Sequence, residues 1–229
     1  MKHNNLEYLI AGTGGSGTHA CSITMQSAGI ACGWECIFTH KGWDTAEKRL
    51  RIPTPISMPM KKMEERYGCV ATTTTELRAE TAFPAVPFLD KTELSEVKKV
   101  LILRDPMRTA SSCLGLKLLQ PHHSFYPMAK EFVPHTLSYD PYQLDAYASY
   151  WISWHKLAQK KCPTIILHKI EDGPESLLNK LGIEIPSGVM LFRGHTNSHT
   201  PSHATFNLLK DKDLAKELSD YASQFGYIM

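Results

Sequence analysis

The stretch from Leu6 to Ile30, LEYLIAGTGGSGTHACSITMQSAGI, constrains what the rest of the chain can become. Its apolar run Leu6 to Ile10 suits a buried strand, which meets a turn holding Gly12, Gly14, Gly15 and Gly17 among Thr13, Ser16, Thr18 and His19. A helical pattern follows, so the order is strand, glycine loop, helix. Such a loop lets backbone N–H groups converge on an anion, and the positive end of a helix starting near Ser16 adds to that field. A phosphate or sulfate ester is therefore expected here.

Further along, the same alternation recurs. Ser16 to Ala28 reads as a helix closed by Gly29, with a short strand at about residues 30–32. Gly33 to Met63 reads as a long loop over the site, containing Trp34, Glu35 and Trp43, and Val70 to Thr75 is strand-like. Glu76 to Leu89 reads as a helix broken at Pro84 and Pro87. Val97 to Leu103 is the second clear strand, stopped by Asp105-Pro106 and followed by a helix from Arg108 to Leu119. Gln120 to Pro141 reads as an aromatic and polar insertion outside the core. Tyr142 to Lys161 is an amphipathic helix, Thr164 to His168 a strand, Glu175 to Leu181 a short helix, and Asp211 to Phe225 a surface helix turning Leu214, Leu218 and Tyr221 inward. Strands alternating with helices predict an α/β fold of three layers, with a mostly parallel central sheet flanked by helices and right-handed crossovers.

With 229 residues, 42% of them hydrophobic, one full core and a single domain spanning residues 1–229 are expected. A net charge of +2 shows no basic stripe, so neither a nucleic acid nor a polyanionic polysaccharide is implied as a partner. No run is long and apolar enough for a membrane span, and the chain reads as a soluble, cytoplasmic protein. The six cysteines are scattered, as buried free thiols would be. His195, His199 and His203 recur every four residues, but Pro201 and the polar context HTNSHTPSH argue for a loop, so no metal site is expected.

Against the phosphate-loop template GxxxxGK[ST], Gly12 and Gly17 have the right spacing, but Thr18 stands where the lysine belongs. A triphosphate has thereby lost the charge that reaches its outer phosphates, which argues against a kinase. A later stretch, Arg104 to Ser112 (RDPMRTASS), places an arginine at a strand's end and a serine eight residues on. Together these two stretches resemble the PAPS-dependent sulfotransferase family, whose fold is a P-loop NTPase-like α/β domain. AGIACGWE, ETAFPAVPFLD, YWISWHK and HKIED are similar to further segments of bacterial members, so the likeness reaches to about Asp172.

The resemblance implies an enzyme moving a sulfuryl group from 3′-phosphoadenosine 5′-phosphosulfate (PAPS) to a hydroxyl, less readily an amine, of a small-molecule, carbohydrate or lipid acceptor. Adenosine 3′,5′-bisphosphate is then the product. It assigns Gly14, Gly15, Ser16, Gly17, Thr18 and His19 to the 5′-phosphosulfate, and Arg104 and Ser112 to the 3′-phosphate. Glu35 matches the family's glutamate position and is the expected general base, with Glu80 second and His19 or His40 third. The family's usual Lys or Arg before the SGT is here Gly15, leaving His19, Arg78, Arg108 or Lys41 to supply the leaving-group cation. Arg193-Gly194 is a further candidate cofactor contact. Trp151 and Trp154 read as core, Trp34 and Trp43 as surfaces on which an acceptor stacks.

Overall fold

The computed structural model describes residues 6–51, 77–191 and 206–229. The strand-like Val70 to Thr75, the candidate Arg193-Gly194 and the three spaced histidines His195, His199 and His203 lie outside them. Strand β1 is Tyr8–Gly12 and helix α1 Thr18–Ser27, followed by β2 (Cys32–Trp34) and α2 (Trp43–Leu50). Then come β3 (Ala79–Thr81), β4 (Lys98–Leu103), α3 (Pro106–Gly115), α4 (Tyr126–Phe132), α5 (Leu144–Lys161), β5 (Ile166–Lys169), α6 (Gly173–Leu181) and α7 (Lys212–Ser223).

The five strands form one all-parallel sheet in the order β2-β3-β1-β4-β5. A parallel sheet is covered on both faces, which is why its strands read as near-continuous apolar runs. Leu9, Ala11, Leu101 and Leu103 face a core shared with Cys113 of α3 and Tyr147, Tyr150 and Trp154 of α5. Alternate residues Ile10, Val100 and Ile102 face the opposite way, against Cys21 and Met25 of α1 and Leu177, Leu178 and Leu181 of α6. The β1-to-β2 crossover thus runs on one face and the β4-to-β5 crossover on the other. They also travel in opposite directions across the sheet, so both keep the same hand.

Four expectations are corrected. Trp43–Leu50 is a helix rather than loop, because Ala46 and Leu50 give it a buried stripe under a charged outer face. The segment expected to be a helix from Glu76 holds β3 and then a 3-10 helix, Phe83–Phe88, since Pro84 and Pro87 remove the amide donors an α-helix needs. The helix after β4 starts at Pro106 rather than Arg108 and ends at Gly115: Asp105 caps it by accepting the Arg108 N–H at 2.8 Å. The stretch Gln120 to Pro141 belongs to the core, with Phe125 and Ala129 fully buried and Met128 and Val133 nearly so.

Helix α5 runs through the centre: Tyr147, Tyr150, Trp151 and Trp154 are all fully buried. Removing a ring of that size from a closed core costs about 3–5 kcal/mol. At its first turn the buried Asp145 carboxylate accepts the backbone N–H groups of Lys210 (3.0 Å) and Asp211 (2.8 Å), docking the start of α7. No helix among the described residues is long and apolar enough to cross a membrane.

Buried ionisable groups set the response to pH. Burial pushes His155 and His168 down to about 4. A base depressed in the fold takes up protons more readily when unfolded, so this stability is full above about 6.5 and is lost as pH falls toward 4. Burial raises Glu35 to about 7 and Glu80 to about 8, which carries the opposite sign: the fold gains from them as pH falls toward about 4.5. The two pairs therefore offset one another between about pH 4.5 and 6.5. Neither ring nitrogen of His168 has a hydrogen-bond partner among the described residues. His168→Leu should accordingly stabilise the protein, with a margin that grows by up to about 1.4 kcal/mol per pH unit as pH falls through that window. Thermal melts of both proteins at several pH values check this; a margin independent of pH would contradict a neutral His168.

Candidate functional site

From its carboxyl end β1 leads one way, through α1 to β2, whereas its neighbour β4 leads the other way to β5. Two adjacent strands whose connections part in this manner leave a crevice at their carboxyl ends, where open α/β sheets bind ligands. The glycine loop follows β1 and Arg104 follows β4, so the two stretches singled out from sequence line the same crevice.

Within the loop, three carbonyls are held by side-chain donors. The Trp154 indole donates to Gly12 O at 3.0 Å, the Cys113 thiol to Gly14 O at 2.8 Å and the Arg104 guanidinium to Gly15 O at 2.7 Å. In a trans peptide the next N–H points away from the carbonyl, so the amides of Thr13 and Gly15 face away from the Trp154 and Cys113 donors. Helix α1 begins just beyond with no side-chain cap, leaving the amides of its first turn unsatisfied by the helix itself. The hydroxyls of Thr13 and Ser16 are buried and have no hydrogen-bond partner among the described residues. Inward amides and two hydroxyls in need of an acceptor are what an anion would satisfy.

Arg104 is half-buried, and burial lowers its pKa while the neighbouring Glu171 raises it and Arg108 lowers it. Two guanidiniums thus act on one another across the first turn of α3. Ser112 lies against the loop: a Cβ on Gly15 would sit 2.8 Å from its Oγ. Glu171 accepts the Asp105 N–H at 3.0 Å and the Tyr227 hydroxyl at 2.9 Å, bracing the turn that carries Arg104.

Strand β2 ends at Trp34, and Glu35 follows it. Trp34 stacks on His19, with ring centroids 4.3 Å apart. Glu35 takes a left-handed φ of +52°, and its N–H donates to Thr81 O at 3.0 Å. Desolvation lifts its carboxyl to about 7, the range a general base at neutral pH requires. Glu80 is fully buried, and its carboxyl accepts the Ile37 N–H at 2.8 Å, so it supports the Glu35 turn instead of facing the crevice.

The other expectations divide. Arg78 sits before β3, at the amino end of the sheet, and its guanidinium pairs with Glu7 through two bonds of 2.7 Å, so it is remote from the loop. Trp43 is not an open stacking surface, because Phe88 packs on it at 5.7 Å and the Lys91 ammonium lies 5.0 Å over its ring. His40 rests among Phe83, Phe125 and His123. Sequence reasoning missed Tyr150, whose hydroxyl accepts the Gly14 N–H at 3.4 Å, and the grip of Cys113 and Trp154 on the loop. Tyr150 and Trp154 fall four apart on one helix face, with polar tips on otherwise apolar rings; that spacing was the available signal.

Models of known protein families return no match to the chain, and no curated protein matches its sequence.

Gly15 answers the question raised by its missing cation. Its φ is +73°, where an L side chain is strained, and a Cβ there meets both Oγ and Cβ of Ser112 within 2.9 Å. A lysine cannot stand at this position without moving α3. Gly15→Lys is therefore expected to weaken adenosine nucleotide binding by about tenfold or more, corresponding to strain of about 1–2 kcal/mol. Titration calorimetry reads the change, and an unaltered affinity would place Ser112 away from the loop.

Proposed function

We propose that this chain is a PAPS-dependent sulfotransferase with a P-loop-like nucleotide site. The observation that supports this most is the lysine-free glycine loop meeting Arg104 and Ser112 across the β1–β4 crevice, with Arg104 tied to Gly15 O at 2.7 Å. A loop without lysine suits a phosphate ester rather than a triphosphate. The second cationic group suits another phosphate of the same nucleotide.

Bound in this crevice, PAPS supplies the sulfuryl group. The loop Gly14, Gly15, Ser16, Gly17, Thr18 and His19 would hold its 5′ end through the Gly15 amide, the first-turn amides of α1 and the unpartnered Thr13 and Ser16 hydroxyls, the Gly14 and Ser16 amides being engaged by Tyr150 and Thr13. Arg104, with Arg108 beside it, and Ser112 would take the 3′-phosphate, since a guanidinium matches phosphate with two parallel bonds. Glu35 would take the proton from the acceptor hydroxyl as its oxygen bonds to sulfur and the bond from sulfur to the 5′-phosphate oxygen breaks, so that adenosine 3′,5′-bisphosphate leaves with that electron pair; His19, stacked on Trp34, lies at the start of α1. The acceptor is a hydroxyl, less readily an amine, of a small-molecule, carbohydrate or lipid compound.

A second reading, nucleotide binding without turnover, is favoured by one observation only: position 15 offers no side-chain cation. A kinase is disfavoured, because the Asp105 carboxylate is engaged in capping α3 and no loop lysine is present.

The discriminating measurement is calorimetry with adenosine 3′,5′-bisphosphate and with AMP, each with and without Mg²⁺. Losing charge-assisted bonds to one phosphate costs about 2–4 kcal/mol, so the bisphosphate should bind ~30-fold or more tightly, with no need for the metal. Equal affinities would rule out the second phosphate site.

A further inference from the structure

The buried Glu80 lies one strand in from the turn that carries Glu35, and three contacts define its setting. In the register Leu9, Glu80 and Gly33 lie side by side across β1, β3 and β2. Gly33 has no Cβ, and a Cβ built there would lie 2.3 Å from Glu80 Oε2. The carboxyl therefore occupies the room that only glycine leaves. From this cradle Oε1 accepts the Ile37 N–H at 2.8 Å, and the neighbouring amides of Phe38 and Cys36 add to the Ile37 amide in lowering the carboxyl's pKa. Oε2 has no hydrogen-bond partner among the described residues.

This carboxyl gathers the backbone of residues 36–38 immediately after Glu35, whose own backbone is left-handed at φ +52°. A non-glycine residue in that region costs about 1–2 kcal/mol and persists only where its surroundings hold it. The left-handed residue turns the chain out of β2, and the amides on Glu80 prevent it from relaxing back. Thr81 closes the other side: its O accepts the Glu35 N–H at 3.0 Å and its hydroxyl donates to Gly33 O at 3.1 Å.

We propose that Glu80 is the positioning residue of Glu35: seated over Gly33, its carboxyl ties down the turn and so keeps the Glu35 carboxyl packed at the edge of the glycine loop. This deepens the sulfotransferase reading and rests on it for the role of Glu35, although the Glu80–Glu35 relation itself does not. The titratable groups facing Glu80 are Glu35, Cys32 and Cys36; burial pushes its carboxyl up to about 8 against the lowering effect of the Ile37, Phe38 and Cys36 amides, with the Glu35 charge adding to the rise, so at neutral pH it is the protonated partner. A neutral amide is then its nearest substitute, because Gln keeps the acceptor oxygen for Ile37.

The test follows the ¹³C signal of the Glu35 carboxyl in glutamate-labelled protein, assigned with Glu35→Gln, alongside calorimetry with adenosine 3′,5′-bisphosphate. In the wild type Glu35 should titrate near 7. Glu80→Gln should hold that midpoint within a few tenths of a unit. Glu80→Leu, which takes away the acceptor, and Gly33→Ala, which evicts the carboxyl, should both drop it toward its ordinary value of about 4.3, while nucleotide affinity changes less than about threefold. An unmoved midpoint in Glu80→Leu and Gly33→Ala overturns the proposal, as does an equal fall in Glu80→Gln. A wild-type midpoint near the ordinary value overturns it without any variant, which keeps the test decisive should the Leu and Ala proteins not fold. Failure of every protein to bind the nucleotide would remove the sulfotransferase reading alone, leaving the titration to judge Glu80.

Discussion

Glu35→Gln is expected to lower the turnover of a hydroxyl acceptor by about 10²–10⁴-fold while leaving the affinity for adenosine 3′,5′-bisphosphate unchanged. The amide is nearly isosteric and cannot take a proton. In the wild type the base works only when ionised, and burial has raised its pKa to about 7, so the rate should climb with pH through neutrality and level off above it. The variant should lose that limb. Its deficit should shrink for acceptors with acidic hydroxyls, such as a nitrophenol, which need less help in losing the proton. Steady-state kinetics across pH with two acceptors of different acidity checks each part, and a normal rate for all acceptors would move the base to His19, the remaining candidate beside the loop.

The next largest effect is expected at Arg104. Arg104→Ala should weaken adenosine 3′,5′-bisphosphate binding by ~30-fold or more, since a charge-assisted bond of this kind contributes about 2–4 kcal/mol. Two losses combine here: a phosphate contact and the 2.7 Å bond that holds Gly15 O. They separate in AMP, which lacks the 3′-phosphate. If Arg104 only braces the loop, the Ala variant weakens AMP and the bisphosphate equally; if it also binds the 3′-phosphate, the bisphosphate suffers more. Arg104→Lys should recover part of the affinity, because an ammonium supplies charge without the planar fork. Wild-type affinity for both nucleotides in Arg104→Ala would remove RDPMRTASS from the site.

Much of the secondary structure was readable because its determinants are local. Leu6 to Ile10 and Val97 to Leu103 announce strands by largely apolar runs, interrupted only by Glu7 and by Lys98 and Lys99 near their starts, and those runs exist because a parallel sheet is covered on both faces. Residues 144–161 announce a helix by length and periodicity. The misreadings fall where the deciding partner is distant in sequence. Residues 79–81 are a strand because β1 and β2 bond them on either side, and nothing within that triplet says so. Phe125 and Ala129 lie in a stretch rich in proline and histidine, and they are core because α5 and the Phe83–Phe88 helix close over them.

For the site, the sequence alone determined the parts: a glycine loop between a strand and a helix, an arginine at a strand's end with a serine one helical face away, and a glutamate just beyond β2. Local propensity and spacing suffice for these, since each depends on a few neighbouring residues. Only the tertiary structure decided how they meet. The strand order β2-β3-β1-β4-β5 puts the loop and Arg104 beside one crevice, because β1 and β4 send their connections in opposite directions. Packing of α3 against the loop makes Gly15 obligatory, and packing of Glu80 over Gly33 holds the Glu35 turn. The physical reason is that close approach and desolvation arise between segments far apart in the chain, so the space denied to a Cβ and the water denied to a carboxyl exist only once the sheet has assembled.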